Sequence, residues 1–290
     1  MITHKRTPSP KISAVVSDVD GTLVADDKTL TTRARSAVAK LHASGVIFGV
    51  ISARPPRGLF MLVEPLKIKT PLIGFNGGML TDPDLRIIVE HPLPPDVAHR
   101  AVEQLDMLGA QVWVFSDRDW LLRDPEEPYA ALEQRTVGFR PTVVDDFGSA
   151  LNSASKIVGV SRDSALLTKC EADVSALLAG QVSVVRSQTY YLDITHLLAN
   201  KGAALSEFAK LSAIPLAEIA VIGDGSNDVT MFERSGLSIA MGNAAPAVQR
   251  AADFVTNSNG DDGFANAIER FVLGGHRSDA SVGAGGGINV

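Results

Sequence analysis

The chain has 290 residues, 45% of them apolar and 21% charged, with a net charge of −6. That length suits about two domains and a core that needs no disulfide or structural metal to hold it. The single cysteine, Cys170, excludes an internal disulfide framework and an all-cysteine metal site, and suits a reducing compartment. The acidic balance argues against nucleic acid or an anionic membrane surface as partner, and no apolar run approaches the roughly 20 residues that cross a bilayer.

His4, Lys5 and Arg6 near the start have no apolar run behind them, so a signal peptide is not expected and a cytoplasmic protein is. Residues 12–16, 46–51 and 72–75 read as buried strands. Between the first two lies a helix with Ala34, Ala37, Val38 and Leu41 at i, i+3, i+4 and i+7, stopped by Gly45. Strand–helix–strand units of this size imply right-handed crossovers and a parallel sheet. Residues 82–187 read differently, with more alternation, many prolines, and two helix-plus-strand passages at 96–108/111–115 and 164–178/182–185. Trp113, Trp120 and Cys170 lie there and are expected to be core.

The first grammar returns afterwards. A helix at 201–212 places Ala204, Leu205, Phe208 and Leu211 on one face. Strands follow at 219–222, 237–240 and 254–255, with helices at 229–235, 244–251 and 263–273. The expectation is a doubly wound parallel-sheet α/β core, Rossmann-like, split into 11–81 and 188–273 around an inserted α+β cap at 82–187. The ends, 1–10 and the Gly-rich 274–290, are expected to be flexible.

Asp18 and Asp20 sit just past an apolar strand, at the end where parallel sheets bind ligands. A spacing of two puts both carboxylates on one side, where they need a cation or a proton. Gly21 lets the backbone turn. A plain Asx turn would use the same residue types. Residues 221–228, Val-Ile-Gly-Asp-Gly-Ser-Asn-Asp, repeat the pattern with Asp224 and Asp228. Oxygen-only ligands of this kind suit Mg²⁺, although Asn227 or Asp228 could equally cap the next helix. Ser52, at a strand end, is a candidate phosphate contact or a capping serine. Lys201 opens a helix, where a cation opposes the macrodipole, which hints that it serves an anion.

In order and type these four segments resemble the haloacid dehalogenase (HAD) superfamily of phosphohydrolases, and most closely its Cof-type, subfamily IIB sugar-phosphatase-like members. The resemblance covers residues 11–273. It is carried by Asp-Val-Asp-Gly-Thr-Leu at 18–23 with Gly-Asp-Gly-Ser-Asn-Asp-Val-Thr-Met at 223–231, and by Phe-Asn-Gly-Gly-Met at 75–79. It implies an Mg²⁺-dependent phosphomonoester hydrolase. Asp18 would be the nucleophile that forms an aspartyl-phosphate, and Asp20 the acid and then the base, with a raised pKa. Asp18, the Asp20 carbonyl and Asp224 would hold Mg²⁺. Ser52, Lys201 and Asn227 would bind the phosphoryl group, with Asp228 orienting Lys201 from behind.

Arg54 and Asn76 are candidates for substrate contact at the cap hinge. The implied partner is a small phosphorylated metabolite, a sugar phosphate ahead of pyridoxal phosphate or a nucleotide monophosphate, and the chain would be a monomer or small homo-oligomer. A phosphomutase or phosphotransferase could use the same core, and a non-enzymatic phosphate-binding module is the rival from another class. The chain departs from the family at Ala53, where glycine is usual, and at 193–202, which lacks the usual Pro and Gly and has Asn200 for Ser. His196 in that segment is expected to be structural.

Overall fold

The computed structural model describes residues 11–274; the ends expected to be flexible lie, apart from Gly274, outside the described residues. The chain forms β1 (Ala14–Ser17), β2 (Ile47–Ile51), β3 (Leu72–Gly74), β4 (Met79–Thr81) and β5 (Ile87–Glu90). The middle supplies β6 (Gln111–Ser116), β7 (Asp119–Leu122), β8 (Thr142–Val143), β9 (Ala154–Val160), β10 (Val182–Gln188) and β11 (Tyr191–His196). Then come β12 (Ile219–Gly223), β13 (Leu237–Ala240) and β14 (Phe254–Val255).

The larger sheet has the order β14-β13-β12-β1-β2-β3-β4-β5. It is parallel from β14 to β3, and β4 and β5 add antiparallel strands at one edge. Its central strands are buried on both faces, which explains their unbroken apolar runs. Val15 enters one core layer with Ala34, Ala37, Val38 and Leu41 of the helix Thr32–Ala43. Ala14 and Val16 enter the opposite layer with Ala204, Leu205 and Phe208 of the helix Lys201–Ser212. The fourth expected face residue of that helix, Leu211, points out and is 46% exposed, while Ala209 is buried in its stead. An apolar side chain one turn from the helix end is not obliged to reach the sheet.

The smaller sheet has the order β10-β11-β9-β6-β7-β8. One face is covered by the helices Pro95–Leu108 and Ser164–Leu177, with Cys170 fully buried there. The other face carries Trp113, Phe115, Trp120, Val158, Val160 and Tyr191, and these cluster with Phe75, just after β3, and Met79 of β4. Both tryptophans are therefore core.

Sheet membership changes later at each end than residues 82 and 187 would place it. Residue 82 falls in the hairpin between β4 and β5, and β5 still pairs in the larger sheet. Residue 187 falls inside β10, and β11 pairs with both β10 and β9. The reason is that β4–β5 and β10–β11 are hairpins. Each keeps its second strand with its first, and local pairing is stronger than the change in composition that suggested the boundaries. Among the described residues no helix is long and apolar enough to cross a membrane.

Candidate active site

The C-terminal ends of β1, β2, β3, β12 and β13 bring the sequence-predicted residues to one place. Asp18 follows β1, and its amide donates to the Ile222 carbonyl of β12 at 2.9 Å. Three residues on, the chain turns at Gly21 with φ +77°. A Cβ there would lie 2.3 Å from Asp224 Oδ2, so glycine is required both for the turn and for the approach of the two acidic loops.

Lys201 is 1% exposed, and Asn200 caps its helix by accepting from the Ala203 amide at 2.8 Å. Its Nζ donates to Asp18 Oδ1 and Asp228 Oδ1, both at 2.6 Å. The lysine that ran against the helix dipole is thus held by two buried carboxylates. Burial pushes its pKa down, but Asp18 and Asp228 together raise it above the ordinary lysine value. Asp228 is completely buried and also accepts the Asp224 and Gly225 amides at 2.9 and 2.8 Å, so it locks the loop after β12.

Asp18, Asp224 and Asp228 present carboxylate oxygens within 4.8 Å of one another. Burial pushes the Asp18 carboxyl well up; Lys201 opposes this, and Asp228 and Asp224 reinforce it. Asp224 is raised too, first by burial, against the Thr22 hydroxyl that donates to it at 2.7 Å. Three carboxylates served by one ammonium lack positive charge. An oxygen-only donor set of this kind fits a hard divalent cation.

Asp20 does not match its expectation of a raised pKa. Burial would raise it, but Arg54 donates from Nε and Nη2 at 2.6 and 2.7 Å, and Lys28 lies 2.8 Å from Oδ1. These cations outweigh burial and hold Asp20 at about 2. Its side chain also stands outside the carboxylate triad. Arg54, expected at the hinge as a substrate contact, is 4% exposed and committed to Asp20.

Ser52 is buried at the end of β2, and its Oγ accepts from the Arg54 amide at 3.1 Å. Asn76 has φ +57°, and its amide donates to the Ser52 carbonyl at 2.8 Å. Asn227 donates from Nδ2 to Asn76 Oδ1 at 2.9 Å, so it bridges the loops after β3 and β12 rather than standing free. His196, at the end of β11, stacks on His91 beyond β5 with ring centroids 5.6 Å apart.

Three polar side chains were not singled out in advance. Thr22 and Lys28 hold Asp224 and Asp20. Asn243, after β13, donates to the Gly21 carbonyl at 2.9 Å and to Asp224 Oδ2 at 3.3 Å. Thr22 stood in a quoted motif, and Asn243 follows a strand on the binding edge of a parallel sheet, which is a usable signal.

A twisted parallel sheet with paired carboxylates, a buried lysine and a small sheet over its strand ends defines a phosphoryl-handling α/β enzyme. The family model for haloacid dehalogenase-like hydrolases matches residues 15–268, and the chain belongs to that family. It is 25% identical over 284 residues to a Bacillus subtilis protein named phosphatase YwpJ, covering 89% of this chain and 99% of the relative. A crystal structure of a haloacid dehalogenase-like hydrolase from Bacteroides thetaiotaomicron is similar at TM-score 0.83 and 27% identity, covering 90% of this chain and 99% of that one. A structure described as a HAD subclass IIB sugar phosphatase shares the fold at TM-score 0.78 and 22% identity, over 89% of this chain and 98% of that one. The protein is a HAD-family phosphatase.

Proposed function

We propose that the protein is an Mg²⁺-dependent phosphomonoester hydrolase that works through an aspartyl-phosphate, on a small phosphorylated metabolite such as a sugar phosphate. The observation that supports it best is the pairing of Asp18 with Lys201 beside Asp224 and Asp228, with Asp20 two residues away under separate control.

Asp18, the Asp20 carbonyl and Asp224 would hold Mg²⁺, with Asp228 behind them. The ion, when bound, supplies charge neutralisation that lets a carboxylate approach an anionic phosphoryl group. Asp18 then attacks phosphorus, and the ester oxygen leaves as an alcohol with a proton from Asp20. Lys201 and the Ser52 hydroxyl stabilise charge on the phosphoryl oxygens. In the second half, Asp20 takes a proton from water, which attacks the same phosphorus and releases phosphate and free Asp18.

Asp20 must carry a proton for the first half, yet Arg54 and Lys28 hold it as a carboxylate. An entering phosphoryl dianion competes for both cations, and Asp20 becomes protonatable as they turn to it. Arg54 would then touch substrate only in the loaded site.

The test is turnover of p-nitrophenyl phosphate. Mg²⁺ should support it, EDTA should stop it, and Asp18→Asn should lower kcat by roughly 10³-fold or more with an unchanged circular dichroism spectrum. An Asp18→Asn variant that keeps a substantial fraction of the activity would exclude the covalent route.

A further inference from the structure

Asp20 carries more positive charge than its own pairing needs. Arg54 already meets both of its carboxylate oxygens, donating from Nε to Oδ2 at 2.6 Å and from Nη2 to Oδ1 at 2.7 Å. Two parallel bonds of this kind match a carboxylate in charge and in geometry. Lys28 Nζ nevertheless lies 2.8 Å from the same Oδ1. The two cations differ in exposure. The Arg54 side chain is 3% exposed and that of Lys28 is 37%, so Lys28 is the one an approaching solute can reach.

The backbone holds Lys28 in a conformation it would not adopt freely. Its φ is +69°, in the left-handed region that residues with a Cβ seldom enter. The turn around it is tightly bonded. The Lys28 amide donates to the Ala25 carbonyl at 2.9 Å, the Ala25 amide to the Thr29 carbonyl at 3.0 Å, and the Thr29 amide to Asp27 Oδ1 at 3.0 Å. Asn259, buried in the loop after β14, donates from Nδ2 to Asp26 Oδ1 at 2.9 Å and to the Val24 carbonyl at 3.3 Å. Its amide donates to Asn243 Oδ1 at 3.0 Å, and Asn243 holds the Gly21 carbonyl and Asp224. The turn that carries Lys28 is thus tied to both acidic loops. A strained residue persists only where its surroundings over-determine it, and such residues cluster at ligand clamps.

Charge gives the role. Four carboxylates, Asp18, Asp20, Asp224 and Asp228, share three cations, Lys201, Arg54 and Lys28. Lys201 and Arg54 are buried, whereas Asp20 and Asp224 are part-exposed. Without Lys28 an anionic substrate would approach an acidic mouth. We propose that Lys28 captures the phosphoryl dianion of the substrate: it meets the group at the mouth, releases Asp20 Oδ1 and moves in with it. Lys28 has one contact to break and Arg54 has two, so Lys28 leaves Asp20 first. This rests on the hydrolase reading above and deepens it, assigning Lys28 to substrate binding and to no proton transfer.

The experiment measures turnover of p-nitrophenyl phosphate at fixed MgCl₂, and its inhibition by inorganic phosphate, for wild type, Lys28→Met and Lys28→Arg. NaCl is varied from about 0.1 M to about 1 M, over which the screening length falls from about 10 Å to about 3 Å. At the low end Lys28→Met should raise KM and the phosphate inhibition constant by about tenfold. Its kcat should stay within about twofold, because the groups of the chemical steps remain. Both differences should shrink as salt rises, and Lys28→Arg should restore the wild-type values. Tm should stay close to wild type, since a part-exposed ion pair contributes little to stability. Unchanged KM and phosphate inhibition in Lys28→Met, or a defect indifferent to salt, would overturn this role while wild-type turnover upheld the hydrolase reading. If wild type turns over no ester, the hydrolase reading falls. Calorimetric titration with inorganic phosphate in MgCl₂ then decides the role of Lys28: weaker binding in Lys28→Met upholds it, and equal binding overturns it.

Discussion

Lys201 is a buried structural side chain at the proposed catalytic site. It is buried with two carboxylates at 2.6 Å, and breaking a buried pair leaves uncompensated charge. Lys201→Met should lower unfolding free energy by about 3 kcal/mol in denaturant titrations and abolish turnover. A variant as stable as wild type would show that Asp18 and Asp228 need no ammonium. Gly21 is the second such position. Gly21→Ala must accept φ +77° and a Cβ 2.3 Å from Asp224 Oδ2, so the Asp224 loop has to move. We expect loss of activity, and a lower Tm read by calorimetry. The chemistry at this scale was legible because Asp18, Asp224 and Lys201 are polar residues at strand or helix ends, where apolar runs stop. The pKa of Asp20 was not, because Arg54 and Lys28 reach it through space from other loops.

At the scale of elements, the parallel strands and the helices over them were readable from apolar runs and 3.6-residue spacing. β4, β5, β9 and β11 were not. β5 is the sheet edge, with Ile87 and Ile88 exposed, so burial does not mark it, and β4 is buried but only three residues long. β11 mixes Asp193 and Thr195 with apolar residues, and both are buried, Asp193 against Lys156 of the neighbouring strand β9.

The two chain crossings between the sheets carry His91 and His196, stacked together. Burial lowers the His196 pKa, and the nearby His91 lowers it further. A histidine depressed in the folded state is protonated later there than in the unfolded chain. Its stabilising effect is therefore present above the unfolded pKa of about 6.5 and is lost as pH falls through and below it. Tm measured from pH 7.5 to 5.5 should fall less steeply in His196→Gln than in wild type. Parallel curves would mean that the pair contributes nothing to acid sensitivity.

For the whole molecule, the smaller sheet sits on the strand ends of the larger one. Phe75 meets Phe115 edge to face at 5.5 Å, and Arg57 lies over Phe139 at 4.2 Å. The carboxylate triad is drawn from β1 and β12 loops some 200 residues apart in sequence, so a cation there ties distant chain segments together. A ligand that binds only the folded state stabilises it by about 2.7 kcal/mol at 100 times its Kd. Adding MgCl₂ should raise Tm in a saturable way, and Asp224→Asn should shift the midpoint to higher Mg²⁺. A wild-type Tm indifferent to Mg²⁺ would argue that the triad holds no divalent ion.

The sequence by itself determined the parallel core, the presence of an insert and the acidic and basic residues at the strand ends. Those features are written in local periodicity and in where apolar runs end. Only the tertiary structure decided that Arg54 grips Asp20, that Asn227 bridges to Asn76, and that Asp193 belongs to the smaller sheet with an oxygen left unpaired among the described residues. Each depends on which segments meet in space and at what distance, and hydrogen bonds and charge interactions act over a few ångströms whatever the separation along the chain.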